Sequence, residues 1–246
     1  MNVSLYQAAS AMSANARWQD VVSQNLASAS VPGFKKQDLS FSAVQAGLLK
    51  SANGSTPVTL PRVQSATNFQ QGESRYTGVN TDVAIDGDGF FEIQLANGST
   101  AYTRDGEFQV NAQGQLVTKQ GCLVLGDRGP IQLDRNNPNA LTISATGEVA
   151  QGKESRGRLK VATFSDPRLL RPTTGGSFLA DDPNLQPKTL AQPSLRQGFV
   201  ESSNTSSVME MANLIRVMRG FEANQHVVQT QDERMGRAIS ELGSPT

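Results

Sequence analysis

Apolar side chains recur at heptad spacing along the end of the chain. Met211, Leu214, Met218, Phe221, Val228, Met235, Ile239 and Leu242 fall on alternating three- and four-residue steps, with only Gln225 and Asp232 breaking the series. A stripe sustained that long predicts a helix built to lie against other long helices, the competing reading being an amphipathic helix docked on its own domain. At the opposite end, Val3 to about Ala29 contains no Pro or Gly and places Leu5, Ala8, Met12, Val22 and Leu26 on one stripe, interrupted by Asn15 and Gln19. This predicts a second helix whose seam is richer in Ala and Ser. At about 1.5 Å per residue the two would measure roughly 40 and 54 Å. One such seam alone is marginal against the entropy of ordering it, so both ends are expected to order when neighbours supply facing seams. Gly220 and Gly236, inside the C-terminal pattern, imply either close helix contact or tolerance.

Between the helices the period changes to two. Phe91, Ile93 and Leu95 alternate with Glu92 and Gln94, Asn97-Gly98 supplies type I′ turn chemistry, and Ala101 to Thr103 begins a return strand. Phe108 and Val110 precede a Gln113-Gly114 turn, Leu116 and Thr118 follow, and Leu141 to Ile143 leads through Thr146-Gly147 to Leu159, Val161 and Thr163. Short punctuated strands predict a mainly β fold: an antiparallel β-sandwich or irregular barrel flanked by long N- and C-terminal α-helices of coiled-coil type. Ser42 to Thr77 reads as an extended connector with short strands. Ser165 to Gln197, with five prolines, reads as loop-rich, either an insertion of the β domain or the arm returning to the last helix.

Composition narrows the function. Lys plus Arg equals Asp plus Glu at 22 each, so no net field gathers nucleic acid or anionic lipid. One cysteine, Cys122, cannot form an intramolecular disulfide, and one Cys with one His cannot assemble a structural zinc site. The start lacks a basic region followed by an apolar run, and no segment approaches a membrane span, so a cleaved signal peptide and membrane insertion are not expected.

Candidate chemistry fails on inspection. Asp86-Gly87-Asp88-Gly89 aligns with a calcium loop begun at Asp82, but Ala84 stands at the third position and Ile93 at the twelfth, where an oxygen ligand is needed. As a dinucleotide fingerprint it has Glu92 at the sixth position and a strand in place of a helix. Glycines permitting a tight turn are the simpler account. His226, the only histidine, lies within the C-terminal heptad pattern and away from any predicted strand end. No nucleophile elbow or Walker loop occurs, so no catalytic, cofactor-binding or metal residues are assigned, and the chain is not expected to be an enzyme.

Three blocks resemble one family. Asn25-Leu26-Ala27 leading to Gly33-Phe34-Lys35 resembles the N-terminal signature of bacterial flagellar rod and hook proteins. Asp82 to Ile85 into Gly87-x-Gly89-Phe90-Phe91, then Tyr102-Thr103-Arg104-x-Gly106-x-Phe108 and Gly114-x-Leu116, is similar to the entry to their β domain. Gly198-x-Val200-Glu201-x-Ser203-Asn204 is similar to their C-terminal arm. Ser28 stands where Asn is common, and Lys35-Lys36 where one basic residue is usual.

The resemblance implies a structural subunit of the basal-body rod that polymerises through its terminal helices into an axial drive shaft and export channel. Its partners would be other rod and hook-family subunits, through coiled-coil termini, and the flagellar export apparatus; its location would be the periplasm-spanning rod. The short stretch between Phe41 and Gly72 is most like a proximal-rod protein. The expected organisation is 1–36 N-terminal helix and signature, 37–80 connector, 81–200 β domain, and 201–246 arm and helix packed with the first. Leu5, Met12, Val22, Leu26, Met211, Leu214, Met218, Phe221, Val228, Met235, Ile239 and Leu242 form the expected assembly interface. The rival readings are a non-flagellar β-domain binding module that dimerises through its helices, and a phage-tail or secretion-needle component.

Overall fold

The computed structural model describes the backbone of residues 3–51, 54–137 and 139–243, and the side chains of 7–42, 62–137, 139–173, 175–237 and 239–241. The chain divides into two compact units. One comprises Met1–Ala27, Gln37–Ala66 and Ser206–Thr246, the other Ser28–Lys36 and Thr67–Thr205.

The first unit contains two helices, α1 (Val3–Ala27) and α2 (Ser207–Gly243), that pack along one another. Each helix thus finds a facing surface within one chain, so the facing seam need not come from a neighbour. The less exposed positions of α2 include Glu210, Leu214, Val217, Phe221, Asn224, Val228 and Gln231, on four- and three-residue steps. This is a heptad, but not the expected one. Leu214, Phe221 and Val228 are common to both, whereas Val217, Asn224 and Gln231 replace Met218, Gln225 and Asp232. Close approach explains the rotation, since α1 contributes the buried small residues Ala8 and Ala14, and a Cβ on Gly220 would stand 3.2 Å from Asn15 Nδ2. Small side chains fit that gap better than Met211 and Met218 do. Gly236, by contrast, faces open space.

Two strands complete this unit, β1 (Gln37–Ser51) and β2 (Gly54–Thr67), paired as a two-stranded sheet. The expected connector is therefore a long hairpin over most of its length. Both strands are edges, which is where prolines such as Pro57 and Pro61 can sit without breaking a ladder on each side. Trp18 of α1 meets Phe41 of β1 edge-on at 5.5 Å.

The second unit is β throughout, apart from two single 3-10 turns, and its pairings are antiparallel. It includes β3 (Ser74–Tyr76), β4 (Val83–Ile85), β5 (Phe90–Gln94), β6 (Thr100–Thr103), β7 (Phe108–Val110), β8 (Leu116–Thr118) and β9 (Leu123–Gly126). A ten-stranded sheet runs from Arg171–Pro172 through Ser177–Leu179, β6, β5, β9 and β8 to β7, and the strands Leu141–Ile143, Glu148–Gln151 and Glu154–Arg158 form a second sheet. The sheets stay open, so the irregular barrel is not found. One core joins them: Phe91, Ile93, Phe108, Leu116 and Val124 of the large sheet pack with Leu141, Ile143 and Val149 of the smaller one. The proline-rich stretch belongs to the β unit. It adds edge strands to the large sheet and covers a second apolar cluster of Phe90, Tyr102, Leu170, Phe178 and Leu185.

Four turns share one geometry. Gly98, Gly114, Gly121 and Gly147, with φ of 83, 82, 82 and 87°, donate to the carbonyls of Leu95, Asn111, Thr118 and Ser144 at 2.9 to 3.0 Å. Leu95, Asn111, Thr118 and Ser144 each donate in turn to the carbonyl after the glycine. These are three-residue loops, a type I turn followed by a left-handed glycine, in place of the type I′ turn expected at Asn97-Gly98. The reason is plain: type I′ needs two consecutive positive φ values, and Asn97 has none. A Cβ at Gly98 would meet nothing within 4 Å, whereas at Gly114 it would lie 2.6 Å from the Leu133 carbonyl. Gly98→Ala should therefore cost about 1 to 2 kcal/mol, the left-handed backbone penalty alone. Gly114→Ala should cost clearly more, and comparison of the two urea midpoints checks this.

Candidate assembly surfaces and the signature junction

Parts of all three signatures converge inside the β unit. Gly33, with φ of 68°, lays the segment Ser28–Lys36 across Arg104 and Asp105 so closely that a Cβ there would stand 2.3 Å from the Arg104 carbonyl carbon. Its N–H donates to the Glu201 carbonyl at 2.7 Å. Only glycine fits this crossing. Two residues on, Lys35 Nζ reaches Glu201 Oε1 at 2.5 Å and the Gln70 carbonyl at 2.7 Å. Arg104 holds the other oxygen, Nη1 to Oε2 at 3.1 Å, and its second nitrogen reaches the Gly87 carbonyl at 2.7 Å. The Gly72 N–H also donates to Oε1 at 2.9 Å.

All three charged residues are buried, at 2% exposure for Lys35, 4% for Arg104 and 1% for Glu201. Desolvation pushes the pKa of both cations down, and the Glu201 carboxylate opposes the shift through its charge and hydrogen bonds. Around this triad Asn204 ties the same segments: its carbonyl oxygen accepts from the Lys36 N–H at 2.8 Å and its amide donates to the carbonyls of Asn68 and Gln70. Ser28–Lys36 and the stretch that ends at Thr205 both belong to the β unit, and this junction fastens them together within it.

The glycines of Asp86-Gly87-Asp88-Gly89 adopt φ of 97 and 132°, the turn freedom expected of them, and the first presents its carbonyl to Arg104. Asn25, in the helical unit, forms a cyclic pair with the Gln37 backbone, accepting from its N–H and donating to its carbonyl at 2.9 Å each. Phe34 is buried, Leu26 half-buried and Ala27 exposed. Sequence reading assigned no role to Lys35, Arg104, Glu201 or Asn204, although each lies in a quoted block.

The stripe residues separate into two sets. Val22 is buried, and Met12, Leu26, Leu214, Phe221 and Val228 are half-buried between helices or beside them. Met211, Met218, Met235 and Ile239 are exposed, at 53, 47, 41 and 72%. The side chains of Leu5 and Leu242 lie outside the described residues. Val208 and Ile215, not anticipated, are exposed as well and align with Met211 and Met218 on three- and four-residue steps. The sequence held the signal for this second stripe, an apolar residue at each of four positions one heptad register away.

Residues 5–35 match the family described as flagella basal body rod protein, 84–151 the flagellar hook protein FlgE/F/G D1 domain, and 196–241 the flagellar basal body rod FlgEFG protein C-terminal region. The chain is similar to the flagellar basal-body rod protein FlgF of Caulobacter vibrioides, at 37% identity over 255 residues covering 99% of each chain. The chain belongs to the flagellar basal-body rod family. This rod protein is also similar to FlgF of Escherichia coli K12, 33% identical with 97% of each chain covered, and to FlgG of Borreliella burgdorferi, 32% identical with 95% of this chain and 96% of that protein covered. The three matched regions contain, in turn, Lys35, Arg104 and Glu201, so the triad joins one residue from each.

Two predictions concern the junction of this rod protein. Lys35→Met leaves Glu201 buried with Arg104 as its one remaining side-chain cation and should cost on the order of 3 kcal/mol by chemical denaturation. Asp105, beneath Gly33 and 3% exposed, has its carboxyl pushed up to about 6, by burial first, with Glu107 and Asp82 adding to the shift. The folded state therefore binds this proton more tightly than the unfolded chain, whose value is near 3.8. Stability from this group is present below that value and is lost as pH rises through about 6. Asp105→Asn should melt higher than the parent at neutral pH, with the difference shrinking on acidification across that window.

Proposed function

We propose that this chain is a non-catalytic structural subunit of the flagellar rod that assembles with other rod and hook-family subunits through its terminal helices. The observation that carries the reading is the apolar surface left on α2 after α1 has been packed: Val208, Met211, Ile215 and Met218 near its start, and Met235 and Ile239 near its end. Contiguous exposed apolar surface of this kind marks an interaction site. A heptad helix with one seam taken and a second free suits coiled-coil packing among several copies, around an axis that would serve as shaft and channel.

Relatives named as rod proteins along nearly the whole chain support the rod and leave the binding-module and phage-tail or needle readings without a favouring observation. Location in the basal body follows from the same reading, as does passage through the flagellar export apparatus. The short stretch between Phe41 and Gly72 favours a proximal-rod position. Among the described residues no helix is long and apolar enough to cross a membrane.

An in-frame deletion should abolish swimming and stall basal bodies at the rod; motile cells with complete rods would refute the assignment. Ile239→Asp should leave the melting curve of the purified protein nearly unchanged, since the side chain is 72% exposed, yet remove the subunit from isolated basal bodies.

A further inference from the structure

The β unit carries a cleft of about 620 Å³ that the helices' assembly role does not use. Its apolar wall is aromatic: half-buried Phe69 and Phe164 flank Phe90, with ring centroids 5.7 and 5.9 Å from it at steep angles. Its rim carries the exposed carboxylates of Asp86 and Asp88, and no ion pair among the described residues engages either one. Arg104 lies at the base, hydrogen-bonded to Glu201 and to the Gly87 carbonyl, with its charge also acting on Asp88.

Rings beneath and carboxylates above suit a guanidinium on an apolar stem. The stem covers the ring surfaces, the planar cation stacks on a ring, and its fork of donors engages carboxylates. The cluster already accepts one such group, because the Arg104 guanidinium lies 5.2 Å over the Phe90 ring. We propose that this cleft receives an arginine side chain presented by a neighbouring rod subunit, a contact of the β units separate from helix packing. The proposal rests on the rod reading for the identity of the partner. The backbone of Asp86 is tied to the adjoining strand, its N–H donating to the Ser194 carbonyl at 2.8 Å.

Two experiments test it. In the first, the full-length protein is titrated with N-acetyl-arginine methylamide and followed by amide NMR. Saturable shifts confined to residues 86–90, 163–165 and 190–194 are expected in the millimolar range, and Asp86→Asn with Asp88→Asn should abolish them. N-acetyl-norleucine methylamide should give none. Equal shifts with norleucine would make the cleft a plain apolar slot, and the absence of saturable shifts with arginine would remove the site; either result overturns the proposal.

In the second, Asp86→Lys with Asp88→Lys is expressed in a strain lacking the native copy, and the subunit is quantified in purified basal bodies. A drop of at least tenfold is expected, with the melting curve of the purified variant confirming that it folds. Undiminished incorporation would overturn the assignment of the partner. Absence of the unmodified subunit from basal bodies would instead fail the rod reading, leaving the arginine titration to stand by itself.

Discussion

The Glu201 carboxylate is the constraint on which the β unit depends. It sits at 1% exposure, where a buried polar group needs partners, and those partners come from points 166 and 97 residues away, Lys35 and Arg104. Satisfying one carboxylate thus requires three remote stretches to meet. Gly33 permits the first of them to cross Arg104 at contact distance, and Asn204 repeats the tie one turn of backbone later. A segment that follows the first helix directly in sequence is in this way made part of the β unit. Within the β unit, that segment and the strand carrying Glu201 are fixed at the same place.

Packing of the helical unit follows a second rule, the match of side-chain size to helix separation. Ala8 and Ala14 on α1 let α2 come close, and close helices favour Val217, Gly220 and Asn224 over methionine. The displaced methionines and isoleucines are not wasted hydrophobic surface. Val208, Met211, Ile215 and Met218 form a second stripe on the same helix, beside the internal seam that holds Leu214, Val217, Phe221 and Val228. The exposed set is the surface we propose for contact between subunits.

How much of this was legible in the sequence depended on the range of the interaction. Hairpins such as β5–β6 were readable because alternation and an Asn-Gly pair act within a few residues. The turn type was not, since three- and two-residue loops use the same letters and differ only in whether Asn97 takes a positive φ. The two helices were readable from period and length, but the face that α1 takes was not, because it depends on the size of residues on another element. The long β1–β2 hairpin was missed for want of alternation, its prolines and glycines being tolerated on a two-edged ribbon. The triad was invisible by spacing, and only the family blocks touched its members; nothing in Lys35-Lys36 told which lysine is buried, and it is the first.

Native-state hydrogen exchange tests the central claim most directly, because opening free energy shows which backbone groups unfold together. If Glu201 fastens both stretches within the β unit, the Gly33 and Gly72 amides, bonded to its carbonyl and its carboxylate, should exchange with the same opening free energy as Phe91 and Ile93 in the core. Gly33 and Gly72 exchanging instead with the amides of α1 and α2, well before the core opens, would mean that the signature segment is an appendage of the helices and that the junction does not hold.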